Sequence, residues 1–111
     1  MPDRHEWSNA EKKIARRAYE TARQTVLAKV LAEFKAQAAH VTTVDGMWSI
    51  VDEWRQRRHE LDDLLSYRYS QLTSVLARLV FAGHLDEKQL TGLSEDKLEE
   101  IRRVVSVMRA P

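Results

Sequence analysis

The chain has no cysteine, so disulfides and thiolate metal sites are excluded. Both of its prolines lie at the termini, and only three glycines are available for turns, so the interior has few natural breaks. Strand signals are missing as well. There is no sustained alternation of apolar and polar residues, and Asp45-Gly46, the nearest approach to a hairpin turn, is flanked by helix-period patterns. No apolar run approaches the length of a membrane span, and the opening MPDRHEWSNAEKK lacks the apolar stretch of a secretory signal. Neither sign of charge prevails. The net charge is +1, which gives no broad field for nucleic acid or anionic lipid. A glycine-rich phosphate loop, a nucleophile elbow and a His-Glu-x-x-His pair are all lacking. We therefore expect a cytoplasmic protein that is not an enzyme and carries no cofactor.

What is present is a foldable, soluble composition, 43% hydrophobic and 32% charged, in 111 residues that suit one domain. Residues 1–7 read as a flexible leader. Ser8-Asn9-Ala10-Glu11 has the capping-box pattern, and about thirty residues follow without Gly or Pro. In them Ile14, Ala18, Ala22, Val26, Val30 and Phe34 form one stripe, widened by Leu27, Leu31 and Ala38. Val41–Gly46 breaks the pattern, with Thr43 or Asp45 able to cap what comes next. A second helix is expected from Met47 to Ala82, bent near Asp62–Ser66. Gly83 suits the end of that helix, with Leu85 placed for a Schellman contact. A short capping box at Asp86–Gln89 precedes Gly92, and Ser94 caps a last helix whose inner stripe is Leu98, Ile101, Val105 and Met108.

The layout predicts an all-α protein: two long helices forming an extended stalk, with a small C-terminal helical head. We place the single domain at 8–111, with the stalk at 8–65 and the head at 66–111. A helix of about thirty residues is ~45 Å long. Two such helices make a rod whose wide apolar stripes stay wet in a monomer, so a homodimer is expected.

The stretch Met47–Asp63 carries two stripes. Met47, Val51, Trp54, Arg58, Leu61 and Leu65 recur at steps of four and three, as a buried seam does. Trp48, Asp52, Arg55 and His59 recur at the same steps one position later, which is roughly 100° around the helix. Trp54 is most simply core. Trp48 has two readings: packing under a loop or the dimer mate, or a contact for another protein. Tryptophan and arginine ringed by polar groups carry interface energy out of proportion to their number, so the partner-binding candidates are Trp48, Asp52, Arg55 and Arg58. Arg58 lies between the stripes and can pair across the dimer or with a partner. His59 and Asp63 have a spacing that could serve a metal, but no second such pair faces them, and Arg58 with Asp62 reads as a surface ion pair. Lys12, Lys13, Arg16, Arg17 and Arg23 read as a solvated basic face, with little aromatic interleaving to suggest nucleic acid.

Val44-Asp45-Gly46-Met47-Trp48-Ser49-Ile50-Val51-Asp52, followed by Arg57-Arg58-His59-Glu60-Leu61-Asp62, resembles the central segment of the fluorescence recovery proteins of cyanobacteria. Arg68-Tyr69-Ser70, Ala77-Arg78-Leu79-Val80 and Gly92–Lys97 are also similar to that family, so the likeness runs nearly from Trp7 onward. The resemblance implies an all-helical homodimer that binds the photoactivated orange carotenoid protein, or a related carotenoid-binding protein, and speeds its return to the resting form. That return ends phycobilisome quenching with no bond made. Trp48, Asp52 and Arg58 correspond to family positions important for activity or dimer structure. Val51 stands where the family has histidine, Asp63 replaces a glycine, and Gln71–Leu76 is poorer in aromatics, which marks a divergent member. The alternative is a helical homodimeric adaptor for a different protein in a bacterium without phycobilisomes. A nucleic-acid role ranks behind both.

Overall fold

The computed structural model of the protein describes residues 6–111. Ser8 caps α1 (Asn9–Ala39), and the capping box is complete: the Ser8 hydroxyl accepts from the Glu11 N–H while Glu11 accepts from the Ser8 N–H. The leader expected over 1–7 reaches Trp7, which is only 9% exposed and packs into the core; residues 1–5 lie outside the described residues.

Thr43 caps α2 (Val44–Leu64) through its side-chain oxygen on the Gly46 N–H, so Asp45-Gly46 belongs to the first turn of the helix and not to the break. The expectation of one helix from Met47 to Ala82 fails. The chain leaves the helix after Leu64, makes a 3-10 turn at Tyr69–Gln71, and starts again as α3 (Leu72–Phe81). No glycine or proline marks this elbow. Long-range side chains hold it instead. The Tyr19 hydroxyl donates to the Leu65 carbonyl at 2.5 Å. The Arg78 guanidinium donates to the carbonyls of Asp63 at 3.0 Å and Ser66 at 3.2 Å. These carbonyls lie at or just beyond the end of α2, where acceptors lose their i+4 donors, and the last turn of α2 has no cation of its own to face them.

Gly83, at φ +83°, closes α3 in a full Schellman pattern, with His84 N–H on the Leu79 carbonyl and Gly83 N–H on the Val80 carbonyl. The Asp86–Gln89 box caps a 3-10 turn, Glu87–Leu90, and Ser94 caps α4 (Glu95–Arg109). Gly92 has φ +106°, and a Cβ there would lie 2.6 Å from the Ile14 side chain, so glycine is required by both conformation and space. Arg102 ties Glu87 to Glu95, and this pairing holds the Glu87 carboxyl below its ordinary range.

The core sits at one end of the molecule. Leu72, Val75, Leu76 and Leu79 of α3 meet Ile101 and Val105 of α4, with Leu90 between them, and all are buried. The first half of α1 lies across this cluster on Ala15, Ala18, Tyr19 and Ala22. Small residues there let the helices approach closely. The head is therefore not made by the C-terminal residues alone. Beyond Val26 the α1–α2 hairpin runs out alone and gives the chain a length of 63 Å against 30 and 21 Å across. Among the described residues there is no β-strand, and no helix is long and apolar enough to cross a membrane.

Candidate functional site

The hairpin decides which side chains of α2 are available. Ile50, Trp54, Arg57, Leu61 and Leu64 are the half-buried positions that follow one line along the helix. Trp54 meets Phe34 edge-on with ring centres 5.7 Å apart and donates from its indole N–H to the Gln37 side chain at 2.6 Å. Arg57 lies 4.3 Å over the Trp54 ring and pairs with Glu33 at 2.7 Å. The seam toward α1 is thus offset from the one expected. It keeps Trp54 and Leu61 but takes Arg57 in place of Arg58, and Met47 and Arg58 are exposed. Arg58 was placed in the seam where Arg57 stands, because a three-residue step from Trp54 fits the period as well as a four-residue step and does not choose between them.

Three faces result. The first is the Ile50–Leu64 line against α1. The second, next around the helix, carries Val44, Met47 and Val51, with Arg58 farther along. Beside it α1 presents Leu27, Leu31 and Phe34, between 36% and 53% exposed. Phe34, Ala38 and Val41 with Val44, Met47 and Val51 line an open, apolar recess at the hairpin tip. The third face carries Trp48, Asp52, Arg55 and His59.

Trp48 is 56% exposed, the most exposed of the described tryptophans. Asp52 and Arg55 are exposed and approach each other at 3.9 Å, one turn beyond the indole. Such a contact in water contributes at most a few tenths of a kcal/mol, about 0.3, so both groups are available to a partner at little cost. The structure therefore brings Trp48, Asp52 and Arg55 into one patch, while Arg58 stands on the adjoining apolar face. The Arg58–Asp62 ion pair expected from their spacing is not formed; both side chains are exposed. Among the described residues no three His, Asp or Glu side chains gather as a metal site. What the arrangement can do is bind: an uncovered indole, a carboxylate and guanidinium beside it, and an apolar band at its edge.

The basic face of α1 is solvated as expected, with Arg16 paired to Glu20 at 2.8 Å. The sequence did not show that this face has aromatic neighbours. Tyr67 packs 4.7 Å from Tyr19, Tyr69 stands edge-on to Tyr67 at 5.3 Å, and the Arg16 guanidinium lies 4.6 Å over the Tyr67 ring. Burial raises the Tyr67 phenol above its ordinary range, and the nearby Arg16 charge acts against that rise.

Residues 7–105 match the family described as the photoprotection regulator fluorescence recovery protein. The fluorescence recovery protein of Synechocystis sp. PCC 6803 is 34% identical over 96 residues, which is 86% of this chain and 88% of that protein. Its solved structure superposes with a TM-score of 0.84 at 33% identity, covering 91% of this chain and 99% of that one. The structure of the Fremyella diplosiphon fluorescence recovery protein superposes equally well, with a TM-score of 0.84 at 29% identity, over 93% of this chain and all of that one. The match runs through the head, the elbow and the α2 patch alike, and the chain belongs to the fluorescence recovery protein family, whose members regulate photoprotection.

Proposed function

We propose that this chain is a non-enzymatic cytoplasmic regulator that acts as a homodimer, binds the photoactivated orange carotenoid protein and accelerates its return to the resting form, ending phycobilisome quenching. The observation that supports this reading most is Trp48, an indole more than half exposed on a helix that buries none of its residues within the protomer. A side chain of that size left uncovered beside a carboxylate and a guanidinium has the composition of an interface hot spot. In this reading Trp48 fills an apolar recess of the partner, Asp52 and Arg55 fix its orientation, and Arg58 bridges to the partner or to the dimer mate. The division into a stalk at 8–65 and a head at 66–111 goes with it as a division of roles, with Ala15, Ala18, Tyr19 and Ala22 of α1 serving the head core as well.

The mechanism is selective binding. A regulator that binds states along the return path more tightly than the photoactivated state lowers the barrier between them without making a bond. Val51, in place of the family's histidine, makes the adjoining face apolar and removes a titratable group from it. The apolar band of Leu27, Leu31, Phe34, Met47 and Val51 supports the homodimer, because a face that wide is costly to leave in water.

The test is dark recovery of photoactivated orange carotenoid protein with and without this chain. Acceleration is expected, and Trp48→Ala should weaken the complex by ~30-fold, as loss of a hot-spot tryptophan does. An unchanged recovery rate with no complex on gel filtration would remove the proposal. Light scattering should give twice the mass of one chain at micromolar concentration.

A further inference from the structure

The elbow joining stalk and head carries a second exposed patch, at the far end of α2 from Trp48. Tyr69 is 65% exposed, yet its ring is held edge-on against Tyr67, which in turn packs on Tyr19. The Arg16 guanidinium lies over both Tyr67 and Tyr19, at 4.6 and 5.5 Å, with its side chain still 51% exposed. Its one ion-pair partner, Glu20, takes a single contact at 2.8 Å and leaves other guanidinium N–H donors available. Arg68 precedes Tyr69 and is exposed. Lys12, Arg16 and Arg23 recur at steps of four and seven and so share the line of α1 that carries Tyr19, and all three are exposed, which adds positive charge on the side of the aromatic stack. The acids that flank it are Glu20 on α1 and Asp62 and Asp63 at the end of α2.

We propose that this platform is a second docking surface, and that its occupant is an acidic segment of a partner protein. The rings are already ordered by their neighbours, so binding would cost little side-chain freedom. A planar guanidinium beside an exposed phenol fits a carboxylate next to an apolar or aromatic side chain. Charge complementarity selects an acidic partner over a basic one. Single-stranded nucleic acid is a poorer fit, since it needs several exposed rings in series along a positive groove and the platform exposes one. The surface is about 25 Å from Trp48 at 1.5 Å per helical residue, so it is independent of the function proposed above.

The test is fluorescence anisotropy on the full-length chain with a dye-labelled octapeptide of alternating Asp and Phe, its Asn-Phe counterpart, and a labelled dT oligonucleotide. The acidic peptide should bind and the Asn peptide should not. Tyr69→Ala should weaken binding about tenfold, as loss of an interface aromatic does. Arg16→Gln should do the same, with Arg16→Lys in between because it keeps the charge and loses the plane. Trp48→Ala should leave peptide binding unchanged. Circular dichroism on each variant separates lost binding from lost fold. Equal binding of the two peptides, or indifference to Tyr69→Ala in a folded variant, overturns the proposal. Tighter binding of the oligonucleotide with a steep salt dependence would assign the surface to nucleic acid and overturn it as well. So would a fall in the mass of the Tyr69→Ala protein to that of a single chain, which would make the platform a self-contact.

Discussion

The two ends of this molecule are built on different terms. At one end α3 buries five of its ten residues, and Leu76, Leu79 and Leu90 are fully enclosed. At the other, α2 runs for 21 residues and buries none. Both helices are amphipathic, so the contrast lies in what each apolar face finds. In the head, α1, α3 and α4 close on one another within the protomer. In the stalk a single neighbour covers a single line of α2, and the remaining apolar face stays exposed in the protomer. An end that is complete in itself can act as a fixed base, while an unsatisfied end is suited to association.

Substitutions at matched positions test this contrast. The largest effect is expected in the head, where Leu79→Ala should lower unfolding free energy by about 2–5 kcal/mol, measured by urea denaturation. Val51→Ala in the stalk should cost under about 1 kcal/mol in intrinsic stability while lowering the mass read by light scattering at low concentration, as the proposed homodimer requires. Equal costs at the two sites would abolish the distinction. Gly92→Ala should cost about 1–3 kcal/mol, because it puts a side chain into left-handed backbone and against Ile14. A neutral result in thermal melts would mean the loop relaxes freely.

Arg57→Gln should cost about 1 kcal/mol, since it removes a half-exposed ion pair with Glu33 and a contact with the Trp54 ring. Its signature is a change in tryptophan emission confined to the stalk, with head unfolding unaltered. The smallest effect is at Glu11. Burial pushes its carboxyl up, but the N–H groups of Ser94 and Ser8 outweigh that and hold it below its ordinary 4.5. Because the folded-state value is the lower one, the contribution is fully present above the unfolded value and fades as pH falls through the folded one. Glu11→Gln should therefore cost about 0.5 kcal/mol near neutrality and flatten the acid limb of the stability–pH curve. An acid limb of the same steepness in the variant would remove Glu11 as its source.

The parts of this fold that local chemistry determines were legible from residue order. Ser8, Asp86 and Ser94 cap where their spacing says they should, Thr43 is the one of two candidates that caps α2, which starts three residues before the expected Met47, and Gly83 and Gly92 take the positive φ values that only glycine adopts easily. The elbow was legible only in part. Asp62–Ser66 marked where the helix would bend, but the full break after Leu64 is held by Tyr19, 46 positions before Leu65, and by Arg78 of the next helix, which no local pattern announces. Trp7 was taken for leader because burial against Lys97, 5.6 Å from its ring, depends on a helix near the other end of the chain. In the candidate site the Trp48–Asp52–Arg55 grouping could be read from period alone. The exchange of Arg57 for Arg58 could not, because a shift of one position changes which guanidinium meets α1 and which meets solvent.

Glu11 spans more than its own helix. One carboxylate oxygen accepts from Ser8 and the other, at 3.0 Å, from the backbone of Ser94, 83 positions later in the chain. During synthesis, then, the first helix emerges long before the residue that completes its start. The Ser8–Glu11 box can close on its own, but the carboxylate's second bond waits for Ser94 to be made, so the last connection at the start of the chain is supplied from near its end.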